Sequence, residues 1–208
     1  DGVSASVTQV SAGTYTATVP ARTTAATVTV TATYDGAATG GNPTVQFVPV
    51  LNLAATTLVA NPAIVNANGT STSTATLRFY DYAGNAIVVD AAKVTMLLDG
   101  TGATITSLGN GVFELTVPAS TTAKTVQVTA KYDGATLGAT ATVEFVATLN
   151  LAATEVTANP ITVNADGTST STARVAFKDY AGNSFAVDIS KVELLEGGAV
   201  LAGLQDKG

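Results

Sequence analysis

The chain of 208 residues has no cysteine and no histidine. Without cysteine it has no disulfide, no thiolate nucleophile and no zinc–thiolate site, and without histidine it lacks the commonest general base and transition-metal ligand. Tryptophan is also absent, and charged residues make up only 12% of the chain. Because the commonest general bases, thiolate nucleophiles and transition-metal ligands are histidine and cysteine, we expect neither an enzyme nor a bound cofactor.

Positive charge and long apolar runs are also scarce. Nine Lys and Arg residues stand singly against 15 Asp and Glu, which argues against nucleic-acid binding because that needs a basic patch. The longest apolar runs, such as Ala86–Val89 and Met96–Leu98, are much shorter than the ~18–20 residues of a membrane span, so we expect no membrane insertion. Since a signal peptide and an initiator Met are both absent, we expect a processed or excised piece of a longer protein.

What the chain does contain is a repeat with a period of 98 residues and no gaps. Residues 1–50 match residues 99–148 at 26 of 50 positions, and residues 51–110 match residues 149–208 at 31 of 60 positions. A unit of about 100 residues can bury a core of its own, which the shorter units of solenoids cannot. The sequence therefore predicts a tandem array of domains.

Apolar residues alternate with polar residues along several segments. In Ala75–Tyr80 every second side chain is apolar, and the same alternation runs through Phe113–Val117, Val126–Tyr132 and Ala139–Phe145. A period of two is typical of β-strands with one buried face, and no segment keeps a helical period. We therefore predict an all-β chain in which each unit is a two-sheet sandwich.

Turn motifs separate these strands. Gly, Asn and Asp readily adopt the positive φ of tight turns. The turn motifs are Gly109–Gly111, Asp35-Gly36, Asp133-Gly134 and the pentapeptide DYAGN at Asp81–Asn85 and Asp179–Asn183. Pro62 and Pro160 each interrupt a first strand, a position that tolerates proline when it is an edge or a change of sheet.

The phase of the repeat predicts the domain boundaries. Phe47–Leu53 and Phe145–Leu151 connect the last strand of one unit to the first strand of the next. Because these connectors are short, apolar and unlike a Gly/Ser linker, we expect stiff coupling of the units. Residues 51–148 are predicted to form a complete domain, residues 1–50 the C-terminal half of a domain, and residues 149–208 the N-terminal half of another.

Three segments carry a resemblance to a known family. They are the run LAATEVTANPITVNADGTSTSTARVAFKD from Leu151 to Asp179, the turn Asp179–Asn183, and the strands Thr125–Gly134 and Thr140–Val146. In these segments the chain resembles the bacterial immunoglobulin-like domains of group 1, the invasin and intimin type. The resemblance implies tandem immunoglobulin-like sandwiches at the bacterial cell surface, where such domains form adhesin stalks and parts of surface layers.

Three functions are weighed. The first is a non-catalytic stalk or lattice element whose partners are neighbouring repeats. The second is a self-assembling filament or surface-layer subunit, in which residues 149–208 of one chain complete residues 1–50 of the next, because half sandwiches leave open strand edges. The third is a module that binds a carbohydrate or a host protein, with Tyr80, Tyr82 and Tyr180 as the candidate exposed rings.

Recurring aspartates are the only metal candidates. We interpret Asp81 and Asp179 as structural turn residues, because an Asp that begins a turn commonly accepts backbone N–H bonds. The alternative is calcium coordination, with Asp90 and Asp188 as further ligands and Asp35 and Asp133 as the remaining recurring acids. None of the six stands in the dense spacing of a calcium loop.

Two modification patterns are also present. Lys93 and Lys191 occupy equivalent positions, and a buried Lys beside an acid would permit a covalent crosslink; we interpret both as solvated lysines at strand ends. Asn68 begins a glycosylation sequon, but its counterpart is Asp166, so we interpret the sequon as a chance match.

Overall fold

A computed structural model of the chain describes residues 5–206. Within them the chain consists of strands and turns, with three 3-10 helices of one turn each at Ala91–Lys93, Leu151–Ala153 and Ile189–Lys191. The prediction of an all-β chain is confirmed. Residues 1–4 of the predicted half domain 1–50, and residues 207–208 of the predicted half domain 149–208, lie outside the described residues. The domain boundaries themselves stay a prediction.

The strands are numbered in chain order. Before residue 51 they are β1 (Val7–Ser11), β2 (Thr14–Ala17), β3 (Ala26–Thr29), β4 (Thr33–Tyr34), β5 (Ala37–Ala38) and β6 (Thr44–Phe47). Next come β7 (Leu51–Asn61), β8 (Ile64–Asn66), β9 (Ser73–Asp81), β10 (Val94–Leu98), β11 (Thr101–Ala103), β12 (Thr106–Gly109), β13 (Val112–Val117), β14 (Lys124–Tyr132) and β15 (Ala135–Val146). The last are β16 (Glu155–Asn159), β17 (Thr172–Ala176), β18 (Leu195–Glu196) and β19 (Ala199–Val200).

Strands β7 to β15 form a sandwich of two sheets, here called the central domain. One sheet has the order β12-β13-β9-β7 and the other the order β11-β10-β14-β15-β8. All neighbours are antiparallel except β8, which is parallel to β15. The first strand of the domain passes from one sheet to the other at Pro62, as predicted. This change of sheet divides it into β7 and β8, and with the short strand β11 the domain has nine strands.

The alternating side chains fill the space between the sheets. In β9, Ala75, Leu77 and Phe79 are fully buried, and the Phe79 ring meets Phe113 edge to face at 5.9 Å between centroids. Phe145, on the opposite sheet, is also buried. The predicted faces of these strands are therefore confirmed, because burial of every second residue in both sheets gives one shared apolar core.

The chain enters and leaves the central domain at opposite ends. Leu51 begins β7 opposite Asp81, at the end where Phe79 contacts Tyr132. Strand β8 then lies parallel to β15, so both strands run away from that end, and Val146 finishes β15 beside Asn66. The two connectors therefore attach to opposite ends of the sandwich.

Residues 5–50, here called the head half, and residues 149–206, here called the tail half, repeat strands of the central domain. Their strands pair locally, as β1 with β2 and as β16 with β17. Their apolar side chains, however, lie outside the shared core, whose buried residues all fall between positions 58 and 145. Tyr15 is 60% exposed, whereas Phe113, the residue 98 positions later, is 2% exposed.

Candidate functional site

The turn that begins at Asp81 is the most polar buried feature of the central domain. Asp81 is buried, and its Oδ1 accepts backbone N–H bonds from Ala83 at 2.9 Å and from Asn85 at 2.8 Å. Its Oδ2 accepts from the Asn85 side-chain amide at 3.3 Å. The backbone bond from Asn85 is the main cause of a lowered Asp81 pKa, because these donors favour the carboxylate. Both carboxylate oxygens are thus used by the turn.

Asp179 occupies the same position in the tail half and makes the same bonds. Its Oδ1 accepts from Ala181 N at 2.9 Å and from Asn183 N at 2.8 Å, and its Oδ2 accepts from Asn183 Nδ2 at 3.2 Å. Burial by itself would raise the Asp179 pKa, but the bonds from Asn183 and the turn backbone outweigh it, so the pKa is lowered. The turn DYAGN therefore folds alike in both units.

Asp90 and Asp188, the other calcium candidates, cap short 3-10 helices. Asp90 Oδ1 accepts from Ala92 N at 3.0 Å, and Asp188 Oδ1 accepts from Ser190 N at 3.0 Å. The side-chain hydrogen bond from the Ser190 hydroxyl is the main cause of a lowered Asp188 pKa. Each carboxylate serves its own cap, as side-chain oxygens commonly do at helix starts.

The predicted metal candidates are not brought together. Among residues 5–206, no three acidic side chains form a group that could hold a metal ion. Asp35 and Asp133 lie in tight turns with positive φ, and Asp133 is paired with Lys93. The calcium hypothesis stays a prediction, and a calcium titration followed by the melting temperature tests it. We expect no shift, and a calcium-dependent rise would revive a metal role.

Lys93 lies in solvent rather than in an apolar pocket. Its Nζ donates to Asp133 Oδ2 at 3.1 Å, and the two side chains are 43% and 65% exposed. The hydrogen bond to Asp133 is the main cause of a raised Lys93 pKa. Lys191 is more exposed and lies 3.8 Å from Asp188. Neither lysine has the buried setting that a crosslink needs.

The sequon residue Asn68 is engaged in a turn. Its Oδ1 accepts from the backbone of Thr70 and Ser71, and its Nδ2 donates to the Ser71 hydroxyl at 3.0 Å. Asp166 accepts the equivalent backbone bonds from Thr168 and Ser169. The hydrogen bonds of this turn thus explain why Asn68 and its counterpart Asp166 both carry a side-chain oxygen that accepts from the backbone.

Two of the candidate binding rings, Tyr80 and Tyr82, belong to the central domain, and the third, Tyr180, belongs to the tail half. Tyr80 is half-buried, and Tyr82 and Tyr180 protrude from the two DYAGN turns. The most exposed ring is Tyr34, at 84%, which no sequence motif marks. Its counterpart in the central domain, Tyr132, packs on Phe79.

The tail half contains an open apolar cleft that no sequence motif marks. It has a volume of about 400 Å³ and is lined by Leu149, Phe177, Phe185, Val187 and Val192, among others. The counterparts of these residues are apolar residues of the central domain. The repeat phase could have located this cleft, because the counterparts of these side chains belong to the core of the central domain or pack against it.

Within residues 5–206 there is no helix of the length and apolarity needed to cross a membrane.

The model for the family "Invasin, domain 3" matches residues 52–148, which cover nearly all of the central domain. No curated protein sequence matches the chain significantly.

Several solved structures are similar. Invasin, a bacterial integrin-binding protein, has 26% identity and a TM-score of 0.49 over 88% of this chain and 34% of its own. FdeC, an Escherichia coli adhesin, has 22% identity and a TM-score of 0.50 over 86% of this chain and 58% of its own. Adhesin InvE of Yersinia pseudotuberculosis has 28% identity and a TM-score of 0.43 over 52% of this chain and 30% of its own. This chain thus spans about a third to somewhat over half the length of these structures, and the FdeC likeness supports the fold.

Proposed function

Because residues 52–148 form a bacterial immunoglobulin-like domain of the invasin type, we propose that this chain is a non-catalytic structural module of an extracellular bacterial surface protein. In this role each repeat acts as a stiff spacer in a stalk, and neighbouring repeats are its partners. The chemistry of the side chains supports a mechanical role. Histidine and cysteine are absent, and Asp81 and Asp179 are held by their own turns.

The observation that carries the proposal is that the chain enters and leaves the central domain at opposite ends. Leu51 and Val146 lie at opposite ends of the sandwich, so units joined through these residues follow one another end to end. Strand β15 has 12 residues and spans about 40 Å at the usual rise of a β-strand. Each further unit of 98 residues would therefore add a length of that order to the stalk.

The connectors support stiffness. Only Ala147 and Thr148 separate the end of β15 from Leu149, which already forms a bridge with Asp179 in the tail half. Asn150 N donates to Lys178 O at 2.8 Å, and Thr148 Oγ1 donates to Val146 O at 3.1 Å. With so few free torsions between anchored residues, bending at this joint is restricted.

A distance measurement across the joint tests the proposal. The chain has no cysteine, so spin labels attach only at introduced sites, and T157C in β16 with Q127C in β14 places one label on each side. We expect a narrow distance distribution by pulsed electron spin resonance, and a broad one when Gly-Ser-Gly-Ser is inserted after Ala147. A distribution as broad without the insertion would contradict a stiff stalk.

A further inference from the structure

The first and last strands of the central domain are hydrogen-bonded to each other. After the change of sheet, the first strand continues as β8, which lies parallel to β15, the last strand, over three residue pairs. Glu144 N donates to Ala63 O at 2.8 Å at one end of this pairing, and Ala67 N donates to Val146 O at 2.8 Å at the other. The pairing of β8 with β15 is here called the terminal ladder.

We propose that the terminal ladder is a mechanical clamp, which keeps the central domain folded when tension is applied between its two connectors. Such tension pulls Leu51, where β7 begins, away from Val146, where β15 ends. The inference deepens the proposed stalk role and rests on it for its biological meaning, because a stalk under load transmits force through its units. The response of the domain to force is a property of the domain and is measured directly.

The direction of the strands sets how tension loads the terminal ladder. Strands β7 and β8 run from the end at Leu51 toward the end at Val146, so the first connector pulls them backward along their own axis. Strand β15 runs the same way, and the second connector pulls it forward. The two neighbours are therefore pulled lengthwise in opposite directions. Their hydrogen bonds share the tension and must break together, whereas bonds pulled from one end break one after another.

The change of sheet at Pro62 makes this direct link possible. Strand β7 belongs to the sheet that does not contain β15, so without β8 the first and last strands would face each other only across the apolar core. Apolar contacts have no preferred direction, and hydrogen bonds do. The junction itself is fastened, since Ser73 Oγ donates to Pro62 O at 2.7 Å and Ser73 is 1% exposed. The first strand is thus attached to both sheets.

Buried side chains shield the terminal ladder from water. Val65 and Ala67 are 6% and 1% exposed, and Phe145 on β15 is 2% exposed. Hydrogen bonds in such low-dielectric surroundings are stronger than exposed ones. The chain just after β8 is held as well, because Gly69 N donates to Ser120 O at 3.0 Å. The ladder should therefore stay closed until the core beside it opens.

The components of the ladder recur with the period of the chain. Its three buried side chains have identical counterparts at Phe47, Val163 and Ala165. Ser171 Oγ donates to Pro160 O at 2.7 Å, which repeats the bond at the junction of β7 and β8. Units joined end to end bear the same tension, so a clamp is needed in each of them.

Optical tweezers test the proposal by pulling the 208-residue chain in two directions. The chain has no cysteine, so handles attach only at introduced sites. V50C with A147C pulls on the two connectors and loads the terminal ladder lengthwise. N66C with A147C pulls on neighbouring strand ends and peels β8 from β15. All three positions are exposed, so the substitutions leave the core intact.

At the same pulling rate, we expect the connector pair to unfold at a force several times higher than the peeling pair, because forced unfolding reports the barrier along the pulled direction. Equal forces in the two directions would overturn the clamp. They would leave the stalk role standing, since the distance measurement across the joint tests that role separately.

Proline variants, pulled between V50C and A147C, test which bonds bear the load. Val65→Pro removes an N–H that the parallel register directs at β15. Ile64→Pro is the matched control, because N–H groups alternate along a strand and Ile64 N faces the open edge of the sheet, where proline is tolerated. Val65→Ala is a second control, which keeps the donor and removes most of the buried side chain.

We expect the unfolding force to fall most in Val65→Pro, to fall less in Val65→Ala, and to stay at the wild-type value in Ile64→Pro. An equal force in Val65→Pro and Ile64→Pro, or in Val65→Pro and Val65→Ala, would overturn the proposal, because the ladder bond would then bear no particular load. If Val65→Pro does not fold, the comparison of the two pulling directions decides, since it uses the intact ladder.

Discussion

Gly111 shows how one residue combines a local and a long-range requirement. It has a φ of +71°, which the turn motif Gly109–Gly111 predicts, and it also lies against the Ile87 carbonyl, which no local pattern reveals. A side chain on Gly134, by contrast, would meet open space at a φ of +81°. A comparison of Gly134 with Gly111 therefore separates the cost of backbone strain alone from the cost of strain combined with steric overlap.

The first prediction compares these two glycines. Gly134→Ala should lower the free energy of unfolding by about 1–2 kcal/mol, the usual cost of a left-handed conformation for alanine. Gly111→Ala should lower it by more than about 3 kcal/mol, because the new Cβ overlaps backbone that cannot rotate away. Urea unfolding of both variants gives the comparison. Equal losses in the free energy of unfolding would show that the backbone at Ile87 moves away from the new Cβ without cost.

The second prediction concerns Phe145, which is buried in the core of the central domain. Phe145→Ala should lower the free energy of unfolding by about 3–5 kcal/mol, through lost burial and the cavity left behind. Phe47→Ala removes the same ring from the same position in the head half, where Phe47 is only half-buried, and should leave the transition of the central domain unchanged in dilute solution. A loss below about 0.5 kcal/mol for Phe145→Ala would be too small for a core residue.

At the scale of elements, the DYAGN turn links β9 to the segment that leads to Asp90. Asp81 accepts three hydrogen bonds within the turn, while Asp81 N donates to Asn85 O at 2.9 Å. A charged carboxylate holds such donors more strongly than a neutral one does. The turn should therefore contribute to stability mainly while Asp81 is ionised.

The third prediction follows from the lowered pKa of Asp81. A carboxyl group whose pKa is lower in the folded state stabilises the fold above its unfolded pKa of about 3.9, and this contribution is lost as pH falls through the folded pKa. We expect Asp81→Asn to lower the melting temperature at pH 7 and to reduce its fall between pH 5 and pH 2, relative to wild type.

Asp179→Asn is the control for that experiment. It makes the same change in an identical turn of the tail half, outside the shared core, and should leave the transition of the central domain unaltered at each pH. Circular dichroism melts of the three proteins provide the measurement. If the melting temperature falls between pH 5 and pH 2 by the same amount in wild type and in Asp81→Asn, other carboxyl groups cause that fall.

At the scale of the whole molecule, only one of the three predicted units has a closed core. All fully buried apolar side chains of the described residues lie between positions 58 and 145. Cooperative unfolding depends on such a core. In dilute solution the central domain should therefore be the unit that unfolds cooperatively.

The fourth prediction is the enthalpy of unfolding of the chain. In dilute solution, calorimetry should give an enthalpy of about 70 kcal/mol near 60 °C, the value for about 98 residues, rather than the roughly twofold larger value for all 208. An enthalpy of the larger size in a monomeric sample would show that the head and tail halves share in the cooperative fold.

The local features of this protein follow from short stretches of its sequence. The alternation in Ala75–Tyr80 and Phe113–Val117 predicted strands and their faces, and the turn motifs predicted where chain direction changes. These features depend on neighbours within a few residues, so a short stretch of sequence contains them. The resemblance to invasin-type domains was visible at the same level, and the family match confirms it for residues 52–148.

How these elements meet depends on contacts that only the folded chain makes. The approach of Gly111 to Ile87, the use of Asp81 by its own turn, the attachment of the connectors at opposite ends, and the exposure of Tyr34 all depend on contacts between distant segments. Residues with the same local pattern, such as Tyr15 and Phe113, differ in burial, because only Phe113 packs in the shared core. Burial is a property of the closed pair of sheets, and local sequence specifies only the strands from which that pair is built.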